Sequence, residues 1–267
     1  MRQPVAIGFY PGNSLQLENE VRRYLVSEKQ INALGAILPH AGYSFSGPVA
    51  GATLKAAKTE KKVFTIFSPN HIGYGYNIAM SRDDWKTPLG VVKTDKEMID
   101  KLKDSVQLDE NAHLHEHSLE VQLPFLQVLY KDFTIVPICL SHLNFEDIEE
   151  LSNAFDSNSF YIASSDFIHF GPNYGFVPIE GTIKEQLDWV IKKDNEMIEL
   201  ICKLEAKKFY DYVFENGYTV CGFVPITLLM LVMKRLGAVK GELIKHTTSY
   251  DTHKDSSFVS YAGIVFS

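Results

Sequence analysis

Cysteine is scarce in this chain: three in 267 residues, Cys139, Cys202 and Cys221. An odd, widely spaced set fits reduced thiols rather than a disulfide framework, so folding rests on a hydrophobic core. Long apolar runs are missing too. No stretch approaches the ~18 residues of a membrane span, and the first residues lack the basic and apolar regions of a secretory leader, so a cytoplasmic protein is expected. Nor is there a basic excess. A net charge of -7 and a pI near 5.7 offer no cationic face for a phosphate backbone, which argues against nucleic acid as a partner. Repeats, low-complexity tracts and linkers are also lacking, and residues 1–267 read as one domain. What is present is ordinary for an enzyme-sized protein. With 45% hydrophobic and 22% charged residues, a chain of this length can bury roughly 75% of its unfolded surface.

The pattern alternates strands and helices. An apolar run, Leu34 to Leu38, stops at Pro39 and is followed by His40, after which Gly42, Ser44, Ser46 and Gly47 read as a loop. Pro48 is expected to open an alanine-rich helix through Ala57. Val63 to Phe67 is a second strand, closed by SPNHIG with His71 in it. NIAM, DDWKTPLG and VVKTD suggest an inserted hairpin, and Asp95 caps a helix with Met98, Ile99 and Leu102 on one face. HLHEHSLEVQLPFL leads into a helix that Pro124 either kinks or starts. FTIVPICL and Phe160 to Ala163 are further strands, the helix between them capped by Asn144 or Asp147. Thr182 to Lys203 holds helical spacing over about six turns. A second helix, Ala206 to Phe214, ends at Gly217, and PITLLMLVMKRLG is a third, apolar on all sides. Two closing strands read as antiparallel neighbours. The expected fold is α/β, a central mixed β-sheet flanked by helices.

Three strand tips, ILPHAG, FSPNHIG and ASSDFIHFG, carry His40, His71, Asp166 and His169. If the strands are parallel these groups converge beyond one edge of the sheet, where ligands of such sheets collect. Two imidazoles suit a metal that takes one more N, O or S ligand and keeps an open position. Cys221 is the candidate third ligand, since a following helix would lower its pKa and favour the thiolate. It reads equally as a small core residue, and a single histidine at a strand end is more often a turn residue than a ligand. Cys139 and Cys202 read as core. Asp166 and His169, three residues apart, would share one side of a helical loop and serve as acid and base. Of His113, His115 and His117, a helix start leaves at most His117 for the site. His142, His246 and His253 read as surface or packing residues, and Tyr43, Tyr74 and Trp85 as the wall of a pocket for an anionic or aromatic ligand.

Taken together, PHAGYSFSG, SPNHIG, EHSLEVQLPFL, SSDFIHFG, the Cys-Gly before the last helix and DSSFVSYAG resemble the Memo family, in order and across nearly the whole chain. The resemblance implies a fold like the LigB-type class III extradiol dioxygenases. It also implies a metal pocket of His40, His71 and Cys221, with Asp166 and His169 lining it and His169 as the acid/base group. His117 and Asp255 are motif residues of less defined role. The dioxygenases hold their metal with two histidines and a carboxylate; a thiolate in its place favours Cu(I), Fe(II) or Zn. The implied function is metal-dependent oxidoreductase chemistry, dioxygenase-like, on a small-molecule or peptide substrate, with a radical SAM protein as a partner. The alternatives are a (phospho)peptide-binding module, as described for animal members, and a zinc-dependent hydrolase with Asp166 as base.

Overall fold

The computed structural model describes residues 1–267. Helix α1, Ser14–Tyr24, starts where the Asn13 side chain accepts the Gln16 N–H. Strand β1, Gly35–Leu38, stops at Pro39, and α2 is Tyr43–Ala56. Next come β2, Val63–Pro69, β3, Ile78–Met80, and the expected hairpin of β4, Trp85–Thr87, with β5, Gly90–Thr94. Asp95 caps α3, Lys96–Leu102, which buries Met98, Ile99 and Leu102. Then follow α4, Leu123–Leu129, β6, Thr134–Leu140, α5, Phe145–Ser152, and β7, Ser159–Ser164. Asn144, not Asp147, caps α5. The two-residue strand β8, His169–Phe170, precedes α6, Ile183–Cys202, whose Thr182 and Glu185 form a capping box. Gly217, at φ 62°, closes α7, Ala206–Asn216. The chain ends with α8, Phe223–Arg235, β9, Gly241–Thr248, and β10, Phe258–Phe266.

The sheet is mixed. Strands β1, β7, β2 and β6 lie side by side and parallel, while β10 joins β1, and β3 joins β6, in antiparallel sense. Strand β9 pairs with β10, as expected of the two closing strands. Register decides what the parallel strands deliver. Leu38 stands opposite Ser164, and Phe67 opposite Ala163, so β1, β7 and β2 end level. The residues that follow, His40, Asp166 and His71, therefore leave from one edge.

Alternation along the parallel strands builds two cores. Ala36, Leu38, Phe64, Ile66, Phe160 and Ile162 face the side of α1, α2 and α4, whereas Ile37, Phe67, Tyr161 and Ala163 face that of α5 to α8. Helix α8 is buried at every position from Val224 to Met230, as an all-apolar helix must be.

One local expectation fails. Helix α2 opens at Tyr43, not Pro48, which sits inside it. Packing against α1 and the sheet overrides the local preference of glycine and serine for turns. Gly51 lets α1 come close, since a Cβ there would lie 2.5 Å from the Tyr24 carbonyl oxygen. Of the two places expected for Pro124, the structure shows the start: it lies in the first turn of α4, after a 3₁₀ turn at Glu120–Gln122.

That 3₁₀ turn buries a charge. Glu120, with no exposed surface, accepts hydrogen bonds from Arg2, from the Tyr10 hydroxyl, and from the Val5 and Ala6 amides at 2.9 and 3.0 Å. Arg2 also donates to the carbonyls of His113 and Glu116 and lies 4.0 Å over Trp85. The N-terminal segment is thereby tied to the loop that precedes α4. Because removing one partner strands the other charge without water, Glu120→Ala is expected to lower unfolding free energy by about 3–5 kcal/mol. Glu18→Ala, which removes the exposed i,i+4 partner of Arg22, should cost under about 1 kcal/mol in the same urea titration. Equal midpoints for the two variants would refute the difference.

Candidate metal centre

Each histidine at the strand edge has one ring nitrogen held by the protein. His40 Nδ1 lies 3.0 Å from Ser164 Oγ. That hydroxyl gives its own proton to the Ser118 carbonyl at 2.7 Å and also receives the Gln122 amide at 3.0 Å. Its remaining lone pair can only accept, so Nδ1 carries the proton and Nε2 points away with a free pair. His71 is gripped twice by Glu116, whose Oε2 accepts the His71 backbone N–H at 2.7 Å and whose Oε1 meets Nδ1 at 3.0 Å. Glu116 Oε1 also accepts the Ser118 amide at 2.9 Å. His169 shares its Nδ1–H between the carbonyls of Phe167 and Thr219, at 3.0 and 2.9 Å.

The free nitrogens meet. The His40 ring stands at 76° to His71 with centroids 5.1 Å apart, and His117 stacks on His71 at 5.1 Å and on Phe9 at 4.2 Å. One ligand atom from each of His40, His71 and His117 can be chosen so that all lie within 4.8 Å of one another. The Cys221 sulfur lies 3.2 Å from His40 Nε2 and 3.7 Å from the Asp166 carbonyl. It is placed there by Gly222, where a Cβ would fall 2.5 Å from Ser165 Cβ, so only glycine lets the start of α8 approach the end of β7 this closely. A four-coordinate ion with bonds of about 2.0–2.3 Å spaces its ligands roughly 3.3–3.8 Å apart. Three imidazoles with ligand atoms within 4.8 Å of one another, and a thiol 3.2 Å from one of them, could draw in to that spacing around an ion that displaces the His71 proton.

Asp166 is buried and holds the loop after β1, its Oδ1 accepting the amides of His40 at 2.8 Å and Ala41 at 3.3 Å. Burial pushes its carboxyl up, with His169 pulling it back. Burial and the neighbouring His71 charge hold His40 well below its ordinary range. For His71, burial works downward, but hydrogen bonds to Cys221 and Glu116 overcome it and carry the ring up to about 10. Glu116, despite its burial, is held down at about 2 by the same pair.

His40, His71, His117, Asp166 and His169 line a cavity of about 520 Å³ that also takes in Phe9, Tyr174, His253 and Asp255, with Cys221 and Glu116 outside its wall. His40, His71, Asp166 and His169, the groups of the three strand tips, meet on this cavity, and His117 joins them from the segment before α4. The structure corrects several finer expectations. Asp166 and His169 do not share a helical turn: the tip is extended, and His169 and Phe170 pair with β10. The Cys221 thiol is not lowered by α8; burial raises it, and His71 beside it only partly offsets that. The aromatic wall is not Tyr43, Tyr74 and Trp85. Tyr43 and Trp85 are buried, Tyr43 with its hydroxyl on the Val121 carbonyl, and Tyr74 is 60% exposed outside the cavity. His253, read as a surface or packing residue, is on the rim. His113 is buried beside Trp85 and His115 is exposed, which leaves His117 alone of the three at the site.

The sequence model described as "Memo-like protein" matches residues 2–265. The chain belongs to the Memo-like family. A MEMO1 family protein of Methanosarcina barkeri is 37% identical over 278 aligned residues, covering 99% of each chain. Those of Archaeoglobus fulgidus, 37% identical over 275 residues, and Nitrosopumilus maritimus, 35% over 287, cover all of this chain and 99% of their own. Within this Memo-like chain, Glu116 is the residue that sequence reading missed. It lies inside EHSLE, next to a histidine, and only its burial against His71 distinguishes it from a solvated charge. Phe9, Ser164 and Thr219 carried no signal at all.

The metal-free protein should therefore hold two neighbouring histidines in opposite states. Below its ordinary value of 6.5 the His71 charge contributes fully to stability, and that contribution is lost as pH rises through about 10. At pH 8, long-range ¹H–¹⁵N NMR is expected to find His71 doubly protonated and His40 neutral. A His71 ring that titrates near 6.5 would contradict the Glu116 and Cys221 contacts.

Proposed function

We propose that His40, His71 and Cys221 hold a redox-active transition metal, iron(II) or copper, and that the cavity beside them is the active site of a metal-dependent oxidoreductase. The observation that carries this reading is the pinning of Nδ1 in both histidines, which leaves His40 Nε2 3.2 Å from the Cys221 sulfur and gives His40, His71 and His117 ligand atoms within 4.8 Å of one another. His117, stacked on His71, is an adjacent fourth donor. A metal bound there supplies one-electron redox chemistry if iron or copper, and Lewis acidity alone if zinc.

The chain's own groups do the rest. Asp166, whose carboxyl burial pushes up, lines the cavity beside His169 as the candidate acid. His169, with Nδ1 committed to two carbonyls, presents Nε2 as a base. This division of labour is that of an acid and a base set beside a metal, and it supports the likeness to LigB-type dioxygenases that the motifs imply. The thiolate departs from the dioxygenase ligand set and favours a softer ion. A cavity of about 520 Å³ accepts a small molecule or the end of a peptide.

Metal analysis of protein purified under reducing, anaerobic conditions tests the reading. One equivalent of iron or copper is expected in the unaltered protein and less than a tenth of that in His71→Ala. Cobalt(II) loading separates the third ligand: the thiolate-to-metal absorption should vanish in Cys221→Ser and persist in His117→Ala. Full metal content in His71→Ala would end the assignment. Peptide affinity that survives both chelator and Cys221→Ser would favour a binding module instead.

Glu116 is expected to position His71 for that metal. Its change to Gln should weaken metal affinity about 10–100-fold, read by competition with a chromophoric chelator. Unchanged affinity would make Glu116 a purely structural carboxylate.

A further inference from the structure

A second cleft, of about 400 Å³, lies between α6 and the edge strand β9. Its α6 wall is apolar, made by Ile183, Leu187 and Ile191, and His246 faces it from β9. Behind His246 is Asp194, a carboxylate with no exposed surface, whose Oδ2 lies 2.8 Å from His246 Nε2. Burial pushes its carboxyl up, while His246, the Ser260 hydroxyl and the Ile168 amide pull it back. Burying a carboxylate costs free energy even when it is paired, and two apolar residues would hold α6 on the sheet without that cost. The pair therefore asks for another reason.

The geometry supplies one. A neutral imidazole carries its proton on the nitrogen that faces a carboxylate, so in that form His246 donates from Nε2 and leaves Nδ1 with its lone pair. Nε2 is the one nitrogen of this ring that hydrogen-bonds within the protein. Nδ1 is thus a fixed acceptor beside an apolar wall, and what it receives must donate a proton. Asp188 and Asp251 oppose Lys184 around the same cleft. The two acids outnumber the lysine and turn away an anionic head, and the apolar α6 wall gives a cationic one nothing to replace its water, so a neutral head is favoured.

We propose that the α6/β9 cleft is a second small-molecule site, taking a neutral ligand with an apolar body and one hydroxyl, an alcohol or a phenol, received by His246 Nδ1. The site shares no residue with the metal centre, so its success or failure is independent of the metal reading.

The test is an NMR titration of the full chain, with and without chelator, using 4-propylphenol as the probe. Saturable shifts confined to the His246 ring, α6 and β9 are expected, unchanged by chelator. Propylbenzene, which lacks the hydroxyl, and hexanoate, which is charged, should bind at least tenfold more weakly. His246→Gln keeps a donor for Asp194 but loses the ring acceptor, and should weaken phenol binding at least fivefold with an unchanged near-UV circular dichroism spectrum. Should that variant fail to fold, Ile191→Lys, at a position 39% exposed, is expected to give the same loss. The proposal is overturned if the cleft shows no saturable shifts, if propylbenzene or hexanoate binds as tightly as the phenol, or if the folded variant binds it unchanged.

Discussion

The centre depends on one constraint: an imidazole has two nitrogens, and here the protein takes one of them every time. Ser164 receives Nδ1 of His40, Glu116 receives that of His71, and two carbonyls receive that of His169. Once Nδ1 is committed, ring orientation and tautomer follow, and Nε2 is the only nitrogen left to face the cavity. Three rings that could each have turned either way are thereby given one direction. The hydroxyl of Ser164 shows how tightly this is fixed. Its proton goes to Ser118, its lone pairs go to Gln122 and His40, and nothing is left over.

That arrangement is expensive in buried polar groups, and the surrounding chain accommodates it. Glu116, Glu120 and Asp166 are all buried carboxylates, and each accepts backbone amides as well as a side chain or a ring contact. Amide donors satisfy lone pairs without bringing in another mobile side chain, so the acids are held where rotamer freedom is already spent on the fold. Arg2 links two of them: it pairs with Glu120 and donates to the carbonyl of Glu116. The first residues of the chain thus brace the loop that orients His71, though they lie far from it in numbering.

Much of this was legible beforehand, and the reasons are local. Strands of branched and aromatic residues ending in Pro39 or Pro69 announce themselves, as do the capping box at Thr182 and the all-apolar helix before Gly237. His40 and His71 could be paired because both follow such strands. Glu116 could not be read, since a glutamate among histidines looks like any solvated charge until its burial is known. The aromatic wall was misjudged for a related reason. Tyr43 and Trp85 are large side chains next to polar loops, and nothing local distinguishes a cavity lining from a core. The state of Cys221 was misjudged because a helix start is visible in sequence and desolvation is not.

By itself, then, the order of residues determined the α/β alternation, the strand tips and the family, because hydrophobic period, turn residues and ordered motifs are properties of neighbours along the chain. The tertiary structure alone decided that β1, β7 and β2 end level, that Gly222 brings the Cys221 sulfur to His40, and that Glu116 turns His71 inward. Those outcomes depend on parallel register, close backbone approach and exclusion of water. Each is set by groups distant in sequence that meet only when the sheet closes.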